Sequence, residues 1–285
     1  MRSRPLSESL RVRAPATTAN LGPGFDCAAV ALDLWNELEV SPADGEPLDR
    51  DHLGVRAFAR LAAVEGRRFV WTSRIPRARG LGSSAAVIAL GLLAGALLEG
   101  APAEPADLFA FGLELEGHGD NLAAALAGGV CLSWERRLVR IADRPPAVPI
   151  AVIPEATIAT AASRASLPAT VPHADAAFTA GRAALLGAAL ANGSPELFAQ
   201  ALADRLHEPY REAAAPLLDA VRRQLPAEAL GATLSGSGPT VILWAREEAA
   251  AACAAELETR FPAERVLRLR AAGSGAAPVA PSADE

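Results

Sequence analysis

The stretch Arg79–Gly95, RGLGSSAAVIALGLLAG, places glycines and two serines directly before a long run of small and apolar residues. The segment before it, RFVWTSRIP at 68–76, is rich in aromatic and β-branched residues and predicts a strand. A strand, a glycine turn and a helix beginning near Ser83 would leave free backbone N–H groups at the helix start, where the dipole adds partial positive charge. The stretch therefore indicates an anion site, although the same residues also fit an ordinary Gly–Ser helix cap.

This loop differs from the common phosphate-binding loops. The pattern GxxxxGK[ST] requires a lysine, and all 27 of the Lys+Arg residues in this chain are arginine. The loop also lacks the G-x-G-x-x-G spacing of a dinucleotide fold. Gly80 and Gly82 permit a close approach of a phosphate to the backbone, and the hydroxyls of Ser83 and Ser84 can donate to phosphate or bind Mg²⁺.

Composition and charge exclude several functional classes. The 285 residues are 51% hydrophobic, which suffices for one large domain or two ordinary ones. The net charge is −6 and the arginines are scattered, which argues against a nucleic-acid partner. No run of apolar residues is long enough to predict a membrane span, and the N-terminus lacks the apolar segment of a signal peptide. The three cysteines are widely separated, and we expect a cytoplasmic protein.

The order of strand-like and helix-like segments predicts an α+β fold with two lobes rather than an alternating βαβ array. The proline-rich segment DRPPAVP at 143–149 is the best candidate boundary. We therefore expect an N-terminal lobe at 1–147 and a C-terminal lobe at 148–272. The small and polar residues at 273–285 predict a disordered tail.

Two further glycine motifs accompany the loop. They are PATTANLGPGFD at 15–26 and LSGSGPT at 234–240, and PRARGLGSSAA at 76–86 lies between them. Together and in this order, the three resemble the signature motifs of the GHMP kinase superfamily, whose members phosphorylate small molecules with ATP and Mg²⁺. The resemblance implies an N-terminal lobe like domain 2 of ribosomal protein S5 and a ferredoxin-like C-terminal lobe.

Other segments resemble the homoserine kinase branch of this superfamily. The segment LEGHGDNLAAALAGGVCLS at 115–133 is one, with Gly119 and Ala125 where the branch usually has proline. SRASLP at 163–168 and HEPYR at 207–211 are also similar to that branch. The resemblance implies transfer of phosphate to the hydroxyl of homoserine, on the route to threonine, and a homodimer by analogy.

The resemblance also implies which residues bind ATP and the metal ion. The expected ATP contacts are Pro76, Arg77, Ala78, Arg79, Gly80, Leu81, Gly82, Ser83, Ser84, Ala85 and Ala86. Ser84 and Glu116 are the expected Mg²⁺ ligands, since this hard cation prefers carboxylate, phosphate and water oxygens. Glu114 and Glu116 are two residues apart and cannot share a helical face, so one of them should face solvent.

The amino-acid substrate requires groups of both charges. Asp26 can bind its ammonium, with Asn20 beside it, and Arg164 and Arg211 can bind its carboxylate as guanidinium forks. A single arginine could equally be a surface residue. The resemblance places Asn121 against the acceptor hydroxyl.

The same resemblance places His118 in the substrate pocket. Asn121, Glu116 and Arg164 are therefore the expected catalytic residues. Asp120 or Asn121 could instead serve as a helix N-cap.

No residue is expected to serve as a dedicated general base. The Lys–Asp pair of some GHMP kinases is excluded because the chain has no lysine. Two other functions remain open: a kinase for mevalonate or an isoprenoid intermediate, and a catalytically silent ligand-binding protein on the same scaffold. Mevalonate has no ammonium group, so Asp26 would repel it.

Overall fold

The structure, a computed structural model, describes residues 9–43 and 48–280. The first eight residues and the last five therefore lie outside the description, as do the corresponding parts of the expected N-terminus and tail. The strands are β1 (Leu10–Asn20), β2 (Gly24–Pro42), β3 (Arg67–Thr72), β4 (Val130–Trp134), β5 (Arg137–Ala142), β6 (Val148–Ile153), β7 (Ala229–Leu234), β8 (Val241–Ala245), β9 (Arg265–Arg268) and β10 (Ala277–Pro278).

The helices pack against the sheets that these strands form. They are α1 (Leu53–Phe58), α2 (Ser83–Glu99), α3 (Pro105–Glu116), α4 (Asp120–Ala127), α5 (Thr160–Ala165), α6 (His173–Asn192), α7 (Pro195–Ala201), α8 (Glu208–Arg211), α9 (Leu217–Arg223) and α10 (Ala250–Arg260). The α+β class expected from the sequence is confirmed. The short helices α5 and α8 were not predicted, because neither is long enough to show a hydrophobic period.

The first sheet is antiparallel, in the order β10-β1-β2-β4-β5, with β3 paired to β2. Strands β1 and β2 form a long hairpin in which Val12 pairs with Leu38 and Thr18 with Val30. The glycine turn of the first motif closes this hairpin, so its polar residues lie at the end of the sheet. The sheet thus fixes where the first motif meets the rest of the molecule.

Helix α2 lies at the centre of the first lobe and is buried on almost every side. A Cβ on Gly91 would lie 2.1 Å from the carbonyl oxygen of Gly54, so the absence of a side chain lets α1 pack directly on α2. A helix that is apolar all round is typical of a core position. Its buried position holds the helix start rigidly at the lobe surface.

The second sheet is also antiparallel, in the order β7-β8-β6-β9. A separate apolar cluster, which includes Ile150, Leu243 and Leu257, packs on one side of it. Because β6 begins at Val148 and is the first strand of this sheet, we propose the lobe boundary at 147/148. The turn between β7 and β8 carries the third glycine motif back to the first lobe.

The expectation of a disordered tail is wrong for residues 273–280. Strand β10 pairs with β1, the N–H of Ala276 donates to the carbonyl of Ala125 over 2.8 Å, and the N–H of Val279 donates to Arg11 over 2.9 Å. Gly275 lies so close to Leu126 that a Cβ would come within 2.1 Å of its carbonyl oxygen. The composition of the segment is typical of disorder, but the open edge of β1 offers it backbone partners that composition does not reveal.

Deletion of residues 273–285 should lower the free energy of unfolding by about 1–3 kcal/mol, because the backbone hydrogen bonds of the 273–280 segment are lost. Urea unfolding would measure the change against the intact protein. Deletion of residues 281–285 alone is the control, since it leaves β10 in place. Equal stabilities for the two truncated proteins would contradict the pairing of β10 with β1.

Candidate active site

A cavity of about 660 Å³ opens beside the start of α2 and collects residues from all three glycine motifs. Most of the predicted site residues line it: Asn20, Asp26, Pro76, Arg77, Ala78, Arg79, Gly80, Leu81, Gly82, Ser83, Ser84, Glu116, His118, Asn121, Arg164 and Arg211. Ala85 and Ala86, also expected to bind ATP, are buried in the core and do not line the cavity. Their side chains are fixed by packing rather than by a ligand.

The start of α2 has the form of an anion site. Its N-cap residue is Gly82, and no side chain caps the helix, so the alternative of a Ser cap is not what the structure has. Gly80 and Gly82 have φ angles of 76° and 64°, which L side chains rarely adopt. The first N–H groups of α2 are therefore available to phosphate oxygens at the positive end of the helix.

The three glycine motifs meet at Ser235. Its hydroxyl donates to the carbonyl of Gly80 over 2.7 Å and lies 2.9 Å from Thr18 Oγ1. The N–H of Thr17 also donates to Leu81 O, and that of Gly236 to Ala19 O. The phosphate loop is thus bonded to both of the other motifs through buried groups.

The guanidinium of Arg79 makes contacts that the sequence did not indicate. It donates to the carbonyls of Pro154 (2.8 Å) and Glu155 (2.6 Å), in the loop that leads to α5. The N–H of Ile158 donates to the carbonyl of Ala78 in return. Although Arg79 lines the cavity, its charged group joins the phosphate loop to the second lobe.

The two glutamates of α3 separate as the helical spacing predicts. The Oγ of Ser84 donates to Glu116 Oε1 over 2.6 Å, beside the phosphate loop. Glu114 is exposed and forms ion pairs with Arg60 and Arg136. Burial raises the pKa of Glu116 above its ordinary value, while the bond from Ser84 opposes that shift.

Asn121 is held in one orientation from two sides. Thr17 Oγ1 donates to Asn121 Oδ1 over 2.6 Å, and Asn121 Nδ2 lies 3.3 Å from Asp120 Oδ1. The same Asp120 oxygen accepts the backbone N–H of Asn121 over 2.6 Å. The amide oxygen is therefore occupied by Thr17, and one N–H of Nδ2 remains for the cavity.

Asp120 does not serve as the N-cap of α4, because Gly119 occupies that position and has no side chain. A Cβ on Gly119 would lie 2.9 Å from both Phe109 Cζ and Ser133 Oγ. These two side chains occupy the space that a side chain at position 119 would need. At Ala125, the other departure from the homoserine kinase pattern, the backbone carbonyl accepts the N–H of Ala276.

One end of the cavity carries opposite charges. Arg164 forms a bidentate ion pair with Asp26, with Nη–Oδ distances of 2.9 and 2.7 Å. Asp26 adopts a φ of 58°, and its N–H donates to Asn20 Oδ1 over 3.1 Å. Asn20 Nδ2 donates in turn to Gly236 O over 2.9 Å, so Asn20 fixes the turn that carries Asp26.

Arg211 is only 3% exposed, and its Nε has no hydrogen-bond partner. Its Nη1 donates to the carbonyl of Gly236 over 3.2 Å and contacts His207 Nδ1 at 3.0 Å. Within the described residues no carboxylate forms an ion pair with Arg211. The guanidiniums of Arg164 and Arg211 both lie over the ring of Phe25, at 5.7 and 5.3 Å from its centroid.

Comparisons with known proteins identify the family of the chain. The family model described as GHMP kinases N terminal domain matches residues 52–129, and the GHMP kinases C terminal model matches 186–263. A homoserine kinase from Streptomyces coelicolor is 40% identical to this chain, and the match covers 97% of each protein. The chain belongs to the homoserine kinase family of GHMP kinases.

Solved structures place the fold in the same family. The crystal structure of a homoserine kinase from Cytophaga hutchinsonii superposes with a TM-score of 0.86 at 26% identity, covering 98% of this chain and 100% of that one. The L. major mevalonate kinase in complex with R-mevalonate gives a TM-score of 0.72 at 15% identity, covering 95% and 98%, and shares the fold alone. The predicted two-lobed GHMP kinase fold is confirmed.

The cavity of this GHMP kinase also includes residues that the sequence did not single out. His52 is half-buried in the cavity wall and packs its ring on Trp71, with centroids 4.4 Å apart. Asp49 and Asp51 line the same end. Trp71 lies near the end of the strand that leads into the phosphate loop. Its position was the one feature of the sequence that could have indicated that His52, Asp49 and Asp51 lie beside the cavity.

Two features are absent from the described residues. No group of three or more His, Cys, Asp or Glu side chains there could hold a metal ion by itself. No helix in residues 9–43 and 48–280 is long and apolar enough to cross a membrane.

Asp120→Asn should stabilise the unliganded protein increasingly as pH rises. Burial raises the pKa of Asp120 in the folded state, with a smaller contribution from Asp26. A carboxyl with a raised folded-state pKa lowers the free energy of unfolding as pH rises from its unfolded pKa, about 3.9, through its folded pKa. The amide does not titrate, so the free energy of unfolding of the variant should rise relative to that of the parent as pH increases above about 4.

Urea unfolding across this pH range would measure the difference. Asp143→Asn is the control, because the Asp143 side chain is 87% exposed. A stability difference for Asp120→Asn that stays constant with pH would contradict the burial of a titrating carboxylate.

Proposed function

We propose that this protein transfers the γ-phosphoryl group of ATP to the side-chain hydroxyl of L-homoserine. The observation that carries the proposal is the buried guanidinium of Arg211, which has an unpaired Nε and lies beside the Asp26–Arg164 ion pair. The homoserine kinases that match nearly the whole chain support it. The proposed substrate offers a carboxylate to Arg211 and an ammonium that can bind Asp26.

The charges of the cluster favour a zwitterionic amino acid. Asp26 and Arg164 neutralise each other, so Arg211 contributes a net positive charge to this end of the cavity. A substrate carboxylate between the two guanidiniums would accept charge-assisted hydrogen bonds from both. The substrate ammonium would then take the place of Arg164 at the Asp26 carboxylate, at least in part.

The acceptor hydroxyl would be oriented by Asn121. Thr17 donates to Asn121 Oδ1 and Asp120 accepts from Nδ2, which orients the amide and leaves its second Nδ2 hydrogen for the cavity. A donor at this point can hold the hydroxyl oxygen or a γ-phosphate oxygen in line for transfer. His118 lines the same wall and contributes to the substrate pocket.

ATP is the phosphoryl donor that the family implies, and the uncapped start of α2 would receive its phosphates. The Ser84 hydroxyl and the Glu116 carboxylate, 2.6 Å apart at that helix start, fit a Mg²⁺ ion as one hydroxyl and one carboxylate ligand. When bound, Mg²⁺ would neutralise the negative charge of the phosphates. In Walker loops a lysine supplies part of that positive charge. This pairing explains how the site works without lysine.

The reaction joins the hydroxyl oxygen to the γ-phosphorus and breaks the bond from that phosphorus to the β–γ bridging oxygen, releasing ADP. The hydroxyl proton leaves late, to a phosphate oxygen or to solvent, because a loose transition state needs little early deprotonation. Asp120 is not required as a base: its carboxylate accepts two N–H groups of Asn121 and so holds that amide in place. Arg164 stabilises the bound substrate beside it.

Two other functions fit less well. A mevalonate or isoprenoid-intermediate kinase has no use for Asp26, since such substrates lack an ammonium. A catalytically silent binding protein would not need Ser84, Glu116 and Asn121 converging on the phosphate loop. The homodimer implied by the resemblance and the cytoplasmic location expected from the cysteines stay predictions.

A panel of alcohols tests the substrate. We expect ADP release to depend on homoserine, with threonine and mevalonate as much poorer acceptors. Asn121→Ala should lower kcat by about 100-fold with little change in ATP binding, because it removes one donor to the transferring group. Phosphorylation of mevalonate but not of homoserine would refute the proposal.

The metal ligand is tested with a matched pair of neighbouring glutamates. Glu116→Gln should raise the Mg²⁺ concentration for half-maximal activity by at least about tenfold, because a neutral amide is a poor ligand for a hard cation. Glu114→Gln, on the exposed side of the same helix, should change it less than about twofold. Titration of Mn²⁺ into the ATP complex would check binding directly. Equal effects of the two substitutions would exclude Glu116 as the ligand.

A further inference from the structure

His207 is fully buried and both of its ring nitrogens have partners. Nε2 lies 2.8 Å from the carbonyl oxygen of Gly22, in the glycine turn of the first motif. Nδ1 lies 3.0 Å from Nη1 of Arg211, one helical turn further along the chain. The ring therefore connects the turn that precedes Asp26 to the buried arginine of the second lobe.

The two partners fix the protonation of the ring. A carbonyl oxygen can only accept, so Nε2 must carry a hydrogen. A guanidinium can only donate, so Nδ1 must be without one. His207 is thus the neutral Nε2–H tautomer, and burial, which lowers its pKa, favours the same uncharged form.

The helix that carries Arg211 does not depend on this ring. The carboxylate of Asp204 accepts the backbone N–H groups of His207 (2.8 Å) and Glu208 (2.9 Å). Glu208 accepts the N–H of Leu234 over 2.8 Å and forms an ion pair with Arg222. The backbone of α8 is thus held by Asp204 and by Glu208. The contacts of the His207 ring therefore act on the position of the Arg211 side chain rather than on the helix.

The ring contacts determine how Arg211 faces the cavity. Nη1 is shared between His207 and the carbonyl of Gly236. Nε has no hydrogen-bond partner among the described residues, and none of them bonds Nη2. The ring of His207 also stacks on Phe25, with centroids 4.8 Å apart, and Phe25 lies under both guanidiniums. One edge of the Arg211 fork is thus fixed and the other is left for a ligand.

We propose that His207 is a positioning residue for substrate binding: as a neutral acceptor it holds Arg211 so that the remaining N–H groups meet the carboxylate of the amino-acid substrate. The inference rests on the proposed role of Arg211. His207 is the histidine of the HEPYR segment, and burial alone does not imply this role for it. Because the carboxylate is remote from the transferred phosphate, the effect should fall on substrate KM rather than on kcat.

Two substitutions separate the two ring contacts. His207→Asn places an amide oxygen near the position of Nδ1, so it keeps an acceptor for Arg211 and loses the bond to Gly22. His207→Gln places an amide N–H near the position of Nε2, so it keeps the bond to Gly22 and loses the acceptor. His207→Gln should raise the KM for homoserine by about tenfold, whereas His207→Asn should stay within about threefold of the parent.

Controls separate positioning from structure. The KM for ATP and kcat should change less than about twofold in both variants. Exposed His173, at the start of α6, provides the matched control His173→Gln, which should leave all three constants unchanged. Thermal unfolding of each variant shows whether a KM change follows a loss of stability. Equal effects of His207→Asn and His207→Gln on homoserine KM would overturn the proposal.

A double-mutant cycle separates this inference from the proposed function. Arg211→Ala should raise the KM for homoserine, and adding His207→Gln to it should have no further effect, because the two act as one unit. An unchanged KM in Arg211→Ala would instead refute the carboxylate role of Arg211. A full additional effect of His207→Gln in the Arg211→Ala background would refute only the positioning role.

A measurement on the unaltered protein keeps the test independent of folding defects. The ¹⁵N shifts of the His207 ring should report a protonated Nε2 and a bare, hydrogen-bonded Nδ1 near neutral pH. They should stay in that tautomer when homoserine is added. A protonated Nδ1, as the other tautomer or as an imidazolium, would overturn the proposal.

Discussion

The contact on which the site depends is the buried junction of Gly80 with the third glycine motif. A Cβ on Gly80 would lie 2.2 Å from the carbonyl oxygen of Ser235, and the Ser235 hydroxyl donates back to Gly80. The phosphate loop and the β7–β8 turn can approach this closely only without a side chain. The junction sets the start of α2 against Thr17, which orients Asn121, and against Gly236, which accepts from Arg211.

This arrangement explains how a chain without lysine can hold a triphosphate and an amino acid together. Buried cations are costly unless they are paired, and Arg211 is offset by a carbonyl and a neutral imidazole rather than by a carboxylate. Its remaining hydrogen-bonding capacity is therefore available to a ligand. At the other end of the cavity, the uncapped N–H groups at the start of α2 are free to donate to phosphate oxygens in the proposed complex.

The sequence predicted the parts of this structure that are local. The glycine motifs, the long helix α2 and the opposite faces of Glu114 and Glu116 follow from spacing and residue type. It could not predict contacts between distant segments that leave no local pattern. The guanidinium of Arg79 binds carbonyls 75 and 76 residues away, and residues 273–280 pair with the first strand. The hydrogen bond between His207 Nε2 and the carbonyl of Gly22 joins residues 185 positions apart and was missed for the same reason.

In the proposed function, the Asp26–Arg164 ion pair adds a selective step to substrate binding. It is partly exposed, with about two-fifths of each side chain accessible, so its contribution to stability is small and it can open at little cost. A ligand with only a carboxylate could reach Arg164 only by leaving Asp26 unpaired beside the buried Asp120. A zwitterion would give Asp26 an ammonium partner and would offer its carboxylate to both Arg164 and Arg211. The cluster therefore favours a zwitterion over other ligands in two ways. A zwitterion makes more contacts, and a ligand without an ammonium leaves the Asp26 carboxylate uncompensated.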